Sequence, residues 1–492
     1  MTFPSHALRH LPSHPLTAHA VSTIDNPSPT VPPATPQWGP DSWKRKLSAQ
    51  QVVYPDRAAV ENSVARLRTF PPLVTSWEIE RLKEQIADAQ QGRRFLLQGG
   101  DCAEQISDCR SEPITNKLKI LLQMSVVLVY AGKKPVIRVG RFAGQYAKPR
   151  SSSTETRRIE GKDVTLPSYY GDLVNHAEFT PEARRPDPAR MLEGYTHAAM
   201  TLNFIRSLMD GGFADIHHPE YWDLDFMSHA GLPADLRAEY QRMTERLAEG
   251  LRFMEAIGER SIDQLHSVEF FTSHEGLNLL YESAQTRTVP RRSGYYNLST
   301  HMPWLGDRTR GLDGAHVEYF RGIRNPIGVK LGAGTRLGDI APLLRTLNPT
   351  REAGKIVLIA RLGAANVRKQ LPDLIRAVQA DPDAGPVLWS CDPMHGNPAT
   401  TPNGTKTRSF QDIAGELEAS WDIHQSLGSR LGGVHIELTG DNVTECTGGA
   451  RGLTEQDLAR NYQSPCDPRL NYEQSLELAF LLARRMQASG HR

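Results

Sequence analysis

From Phe95 onward, short apolar runs alternate with longer amphipathic ones. Phe95–Gln98, Pro135–Val139, Ala214–His217, Ser267–Phe271, Pro326–Lys330, Lys355–Ala360, Pro386–Ser390 and Gly433–Leu438 have the length and apolar character of strands buried on both faces. Between them, Asn116–Tyr130, Pro188–Leu208, Leu337–Leu347, Val367–Val378 and Phe410–Ser426 carry apolar residues at helical spacing. Strands separated by helices need crossover connections, which make the sheet parallel. The expected fold class is α/β, and eight such strands favour a (β/α)8 TIM barrel over an open doubly wound sheet.

Two segments break this rhythm. Residues 220–262 read as an inserted, charged helical pair, and residues 288–320 are aromatic and basic without periodicity. Long unpatterned stretches in compact domains tend to carry function. Upstream, residues 38–93 read as an N-terminal helical extension, with Glu78–Ala89 its clearest helix. Residues 1–37 are rich in Pro, Ser and Thr and are expected to be a disordered tail. The tail has no apolar h-region and Arg9 as its one Lys or Arg, so it reads as neither a signal nor a transit peptide. The barrel is then expected over 94–492, with the helical insertion at about 220–262.

Composition narrows the function. Lys+Arg number 57 and Asp+Glu 56, for a net charge of +1, which argues against a nucleic-acid partner. The five cysteines (102, 109, 391, 446 and 466) are odd in number and form no CxxC pair, so neither a disulfide scaffold nor a zinc knuckle is expected. No apolar run reads as membrane-spanning, and the expected location is cytoplasmic.

The reactive residues fall at strand exits. Cys102 follows the first strand in "LLQGGDCAE", Arg141 the second, Lys330 and Arg361 close later ones, His395 lies in "CDPMHGN", and Glu437 ends the last strand. Asp467 lies beyond it in "SPCDPRLN". In a (β/α)8 barrel all these ends share the active-site face. One group, Cys102, His395, Glu437 and Asp467, is a candidate metal set whose mixed donors suit Mn²⁺, Co²⁺ or Fe²⁺, as well as catalytic Zn²⁺. The other, Arg141, Lys330 and Arg361, offers enough charge for a phosphorylated substrate. The stretch "RVGRFAGQYAKPRSSSTET" adds Lys148, Arg150 and a row of hydroxyls from Ser151 to Thr154, either an anion site or a solvated basic loop. Taken singly, each residue has a plainer reading: Cys102 as packing, Glu437 as a partner of Arg361, His395 as a turn residue.

Longer motifs go further. "WGPDSWKRKLSAQQVVYPD", "LLQGGDCAE", "VGRFAGQYAKPRS", "YYNLSTHMPWLGDRTRGLDGAHVEY", "NPIGVKLG", "CDPMHGN", "GGVHIELTGDNVTECTGG" and "CDPRLNYEQSLELAF" together resemble the class II (plant-type) 3-deoxy-D-arabino-heptulosonate 7-phosphate (DAHP) synthases, from about Trp38 to the C-terminus. The resemblance implies condensation of phosphoenolpyruvate with erythrose 4-phosphate, the first step of the shikimate pathway, on a divalent cation, Mn²⁺ or Co²⁺ before Fe²⁺ or Zn²⁺. By the match of motifs, Cys102, His395, Glu437 and Asp467 would hold the metal. Arg141, Arg308, Lys330 and Arg361, with Trp304 and Asp307 beside them, would hold phosphoenolpyruvate, while Lys148, Arg150 and Ser151 would seat the erythrose 4-phosphate phosphate. It also implies a homodimer or homotetramer and aromatic amino acids as candidate effectors.

Two departures keep alternatives open. The family usually has Glu where this chain has Asp307, and "IARLGAANV" differs from the commoner Arg-Met-Gly pattern. A divergent paralogue serving a secondary-metabolite or aminoshikimate-type route is one alternative, and a non-catalytic metal- and phosphate-binding regulatory protein is another. A barrel metal hydrolase fits less well, since the first strand ends without a His-x-His pair. Finally, Cys466 precedes Asp467, so a shared metal would bring Cys466 close to Cys102.

Overall fold

The computed structural model describes residues 37–211, 234–235, 237–239, 241–242, 245 and 269–490. The tail over residues 1–36, the expected strand Ala214–His217 and most of the 220–262 insertion lie outside the described residues.

The central sheet comprises β1 (Phe95–Gly100), β2 (Val136–Arg141), β3 (Phe271–Thr272), β4 (Trp304–Leu305), β5 (Ile327–Gly332), β6 (Ile356–Arg361), β7 (Val387–Cys391) and β8 (Leu431–Glu437). They pair in the order β3-β2-β1-β8-β7-β6-β5-β4, and every pairing is parallel. A parallel bridge between Glu275 and Trp304 joins the residues after β3 to β4. There the Trp304 N–H donates to the His274 carbonyl and the Gly276 N–H to the Trp304 carbonyl, each at 3.0 Å. The result is a mixed α/β fold with a curled eight-stranded parallel sheet, consistent with a (β/α)8 barrel.

Seven of the expected strands overlap observed ones, and β4 supplies a strand that the pattern did not show. It is two residues long, between Pro303 and Gly306, inside the segment that lacked periodicity. A strand that short cannot display a period.

Helix α1 (Arg57–Thr69) is followed by α2 (Ser76–Gln90). A capping box starts α2: the Thr75 N–H donates to Glu78 at 2.7 Å and the Glu78 N–H to the Thr75 hydroxyl at 3.3 Å. Leu82, Ile86 and Ala89 of α2 are fully buried against Leu96, Ile137, Val357, Ile359 and Leu388 from inside the sheet. Gln90 donates to the carbonyl of Pro386, the residue before β7, at 3.1 Å. This helix therefore closes the amino end of the strands, and the carboxyl end is left for chemistry.

The outer helices are α3 (Ser111–Gly132), α4 (Arg190–Asp210), α5 (Leu337–Leu347), α6 (Val367–Gln379), α7 (Phe410–Ser426) and α8 (Tyr472–Gly490). Contrary to the sequence reading, α3 is long and apolar enough to cross a membrane by length and composition, but 72% of its apolar window is buried within the protein. It packs on α8, β1 and β2 through residues such as Leu118, Leu121 and Val127. It is a core helix of this fold.

Candidate active site

A cavity of about 280 Å³ opens at the carboxyl ends of the strands. Every site residue expected from the sequence lines it except Glu437, which lies fully buried in contact with its wall residues. Of the hydroxyl row, only Ser151 reaches the cavity. Thr154 begins an exposed hairpin, Thr154–Ile159 paired with Lys162–Pro167, that carries the chain away from it.

The four candidate metal donors form two contacting pairs. His395 Nε2 meets Glu437 Oε1 at 2.8 Å, and Cys102 Sγ meets Asp467 Oδ2 at 3.5 Å. His395 is oriented from behind, its Nδ1 lying 2.8 Å from Asp392 Oδ2, while Asp392 Oδ1 accepts from the Met394 and His395 N–H groups at 3.0 and 3.1 Å. A carboxylate behind a ligand histidine fixes its ring and leaves the other nitrogen for a metal. Between Cys102 and Asp467 a cation is already held: Lys148 Nζ lies 2.5 Å from the sulfur and 2.6 Å from the carboxylate. The donors thus fit a divalent cation in kind, with each pair in direct contact, although among the described residues no group of three is placed to hold an ion.

Burial disfavours the Lys148 ammonium, yet Cys102 and Asp467 raise its pKa above the ordinary lysine value. Burial likewise works against the Asp467 and Glu437 carboxylates. Lys148 nevertheless holds Asp467 below the usual range, and His395, Arg408 and Arg141 do the same for Glu437. The Cys102 thiol is pushed up by burial, then by Cys466 beside it and by Glu437. Cys102 and Cys466 share one small buried cluster, as their positions in the sequence predicted, and both are free thiols.

The rest of the cavity is basic. Eight lysine and arginine side chains line it against three carboxylates. Arg141 is buried, with Nη2 3.0 Å from Glu437 Oε1, Nη1 2.6 Å from His435 Nε2 and its guanidinium over the Trp304 ring at 5.1 Å. Lys330 is also buried, paired with Asp392 and 5.8 Å from the Trp304 ring centre. Burial lowers its pKa to about 8, with Asp392 opposing and Arg141 adding to the fall. Asp307 reaches Arg361 at 3.1 Å, Arg310 at 3.0 Å and the Gly332 N–H at 3.1 Å, so its short side chain orients Arg361.

The β2 exit loop that carries Lys148 and Arg150 is folded around one carboxylate. Glu104 accepts from the N–H groups of Ala143, Gly144 and Gln145 at 2.8–2.9 Å. Gly144 takes φ +142°, and a β-carbon there would lie 2.6 Å from His274 Nδ1. Further along, the Arg150 N–H donates to Gln50 Oε1 at 2.7 Å.

Sequence reasoning missed Gln145, Glu275, Lys406 and Arg408, which also line the cavity. Arg408 meets Glu437 Oε2 at 2.7 Å and Lys406 meets Asp467 Oδ1 at 3.2 Å. The available signal was "KTRS" after His395, cations beyond a strand exit of the kind that marked Arg141 to Arg150.

Residues 38–483 match the model of the class-II DAHP synthetase family. The chain is 51% identical over 465 residues to a phospho-2-dehydro-3-deoxyheptonate aldolase of Neurospora crassa, covering 92% of this chain and 95% of that one. It is 45% identical over 443 residues to the protein of the same name from Streptomyces coelicolor, covering 90% and 96%.

Proposed function

The chain belongs to the class-II DAHP synthetase family, and on that premise we propose that it condenses phosphoenolpyruvate with erythrose 4-phosphate to give DAHP and inorganic phosphate, the first step of the shikimate pathway. The observation that carries this reading is the excess of cations in one cavity: eight basic side chains against three carboxylates suit two phosphorylated substrates bound together.

In this reading Arg141, Arg308, Lys330 and Arg361 hold the phosphate and carboxylate of phosphoenolpyruvate, with Trp304 against Arg141 and Asp307 fixing Arg361. Arg150 and Ser151, with Lys148 nearby, seat the phosphate of erythrose 4-phosphate. Cys102, His395, Glu437 and Asp467 would hold a divalent cation, Mn²⁺ or Co²⁺ before Fe²⁺ or Zn²⁺, which supplies Lewis-acid polarisation of the aldehyde. The C3 carbon of phosphoenolpyruvate forms the new bond to that aldehyde carbon, leaving cationic character at C2. Water adds at C2 and its proton passes to the former aldehyde oxygen; the C2–O bond to phosphate then breaks as the new C2 hydroxyl becomes the ketone carbonyl, its proton leaving with the phosphate. The arginines keep both anions aligned through these steps by positioning and charge. Lys330 is the candidate proton donor to the departing phosphate or the new hydroxyl.

Phosphoenolpyruvate consumption and phosphate release, measured together with the aldehyde varied, test the reading. One phosphate per phosphoenolpyruvate, only with erythrose 4-phosphate present, is expected; no aldehyde-dependent consumption would refute it.

The two anion seats should separate by mutation. Arg150→Ala is expected to raise KM for erythrose 4-phosphate, and Arg361→Ala that for phosphoenolpyruvate, each by roughly 10–100-fold, because a lost charge-assisted hydrogen bond costs about 1.5–3 kcal/mol. Lys148 is a poorer probe, since its ammonium also holds Cys102 and Asp467 together. Equal rises in both KM values for either variant would show that the seats are not distinct.

A further inference from the structure

Two of the proposed site residues stand on loops that touch each other. Arg361 closes β6, His395 follows β7, and Arg361 Nη2 donates to the His395 carbonyl. Nearby, the backbones of Gly363 and Gly396 approach so closely that a β-carbon on Gly363 would lie 2.4 Å from the Gly396 carbonyl oxygen. Gly363 has φ +84°, which suits glycine for a second reason. These contacts join loop to loop, so they do not fix where the pair sits.

An anchor comes from outside the sheet. Glu416, on α7, is 1% exposed. Its Oε1 accepts from the Leu362 and Gly363 N–H groups, both at 2.8 Å, and its Oε2 accepts from Asn397 Nδ2 at 2.7 Å. Asn397 in turn accepts from the Ala364 N–H at 2.9 Å and donates to the Pro393 carbonyl at 2.8 Å. One carboxylate and one amide therefore hold Leu362 to Ala364 of the first loop and Pro393 and Asn397 of the second.

The three donors to Glu416 are neutral. Burial pushes its carboxyl pKa up to about 7 against those hydrogen bonds, with Asp392 raising it further, and the Cys391 thiol is a second titratable neighbour. A buried carboxylate without a countercharge is costly. What it offers over an amide is acceptor capacity on both oxygens, and all three contacts use that capacity.

We infer that Glu416 is a positioning residue that sets the Arg361 and His395 loops in one register, so that the grip on phosphoenolpyruvate and the grip on the cation are fixed together. The inference rests on the roles proposed above for Arg361 and His395. Glu416 need touch neither substrate nor metal.

The test is Glu416→Gln, with KM for each substrate measured at saturating Co²⁺ and Co²⁺ affinity measured by calorimetry. In that variant an amide N–H₂ must face either Asn397 Nδ2 or the two backbone N–H groups. KM for phosphoenolpyruvate and Kd for Co²⁺ should each rise about tenfold, as expected when one hydrogen bond to a charged group worth about 1.5 kcal/mol is lost. KM for erythrose 4-phosphate, whose seat lies on the β2 loop, should stay within twofold. Asn397→Ala, which removes the amide but leaves Glu416 on the Leu362 and Gly363 N–H groups, should raise the same two values and spare KM for erythrose 4-phosphate. A folded Glu416→Gln with both values within twofold of wild type overturns the inference. If Glu416→Gln does not fold, Asn397→Ala decides: both values raised supports the inference, both within twofold of wild type overturns it, and failure of both variants to fold reduces Glu416 to a structural role. Wild-type behaviour in Arg361→Ala and His395→Ala controls would instead refute the functional reading beneath it.

Discussion

Replacing Lys330 with methionine is expected to lower kcat by about 10²–10⁴-fold, the range lost when a positioned proton donor is removed. Lys330 lies on β5 inside the cavity, paired with Asp392 and beside Trp304, where both phosphoenolpyruvate and the added water would have to come. Burial lowers its pKa to about 8, close enough to neutrality for the amine to give up a proton within a catalytic cycle. Methionine also takes the ammonium away from the buried Asp392 carboxylate, which keeps its Met394 and His395 contacts, so the stability cost should stay below the roughly 3–5 kcal/mol of a fully broken buried pair. The pH profile of the wild-type enzyme is therefore the companion measurement.

If protonated Lys330 is the acting form, turnover should fall roughly tenfold per pH unit above about 8. Stability gives the opposite sign. Between about 8 and the ordinary lysine value of 10.5, the unfolded chain binds this proton and the folded one does not, so this group's contribution to stability rises with pH. An alkaline fall in turnover from this group is thus not unfolding, and thermal melts across the same range would show as much. A profile flat to pH 9.5, or one that rises through 8, would remove Lys330 from the role of acid.

The legible part of this site was the part anchored to strands. Cys102, Arg141, Lys330, Arg361, His395 and Glu437 each end or follow an apolar run long enough to be seen, and the parallel sheet brings those ends to one face. Trp304, Asp307 and Arg308 could be placed only through the resemblance, because β4 is a two-residue strand with no period to read. Glu104 and Glu416 were invisible for another reason. Their partners are backbone N–H groups on loops distant in sequence, and no residue type or spacing marks a backbone donor in advance. The serine row misled in the opposite sense, since Ser151 stays at the cavity while Thr154 starts a solvent-facing hairpin. In α3, length and apolarity alone could not separate a core helix from a membrane span; its burial against α8 does.

Exhaustive chelation is expected to reduce turnover below detection, and Mn²⁺ or Co²⁺ to restore it. The argument starts from donor chemistry. A thiol, an imidazole and a carboxylate line a cavity otherwise dominated by cations, the buried Glu437 carboxylate meets the imidazole from behind the wall, and Cys102 and Asp467 already hold the Lys148 ammonium between them. Asp392 behind His395 Nδ1 supplies the orienting carboxylate that ligand histidines usually have. His395→Ala removes one proposed ligand and should weaken Co²⁺ binding by at least the 10–100-fold that loss of such an orienting partner alone typically brings. A readout independent of activity is available. Saturating the folded protein at about 100 times Kd should stabilise it by roughly 2.7 kcal/mol, seen as a rise in Tm that His395→Ala forfeits at the same Co²⁺ concentration. The near-ultraviolet spectrum of the Co²⁺ form adds a second, since a thiolate ligand contributes charge-transfer absorption that Cys102→Ser would abolish. Full turnover by protein verified as metal-free would end the case for a metal. A Tm rise of equal size in wild type and His395→Ala would place the ion elsewhere on the chain. Loss of the charge-transfer band in Cys102→Ser, with Co²⁺ affinity lowered in both variants, would put thiolate and imidazole on the same ion, which the pairing of Cys102 with Asp467 and of His395 with Glu437 requires if the four residues form one site.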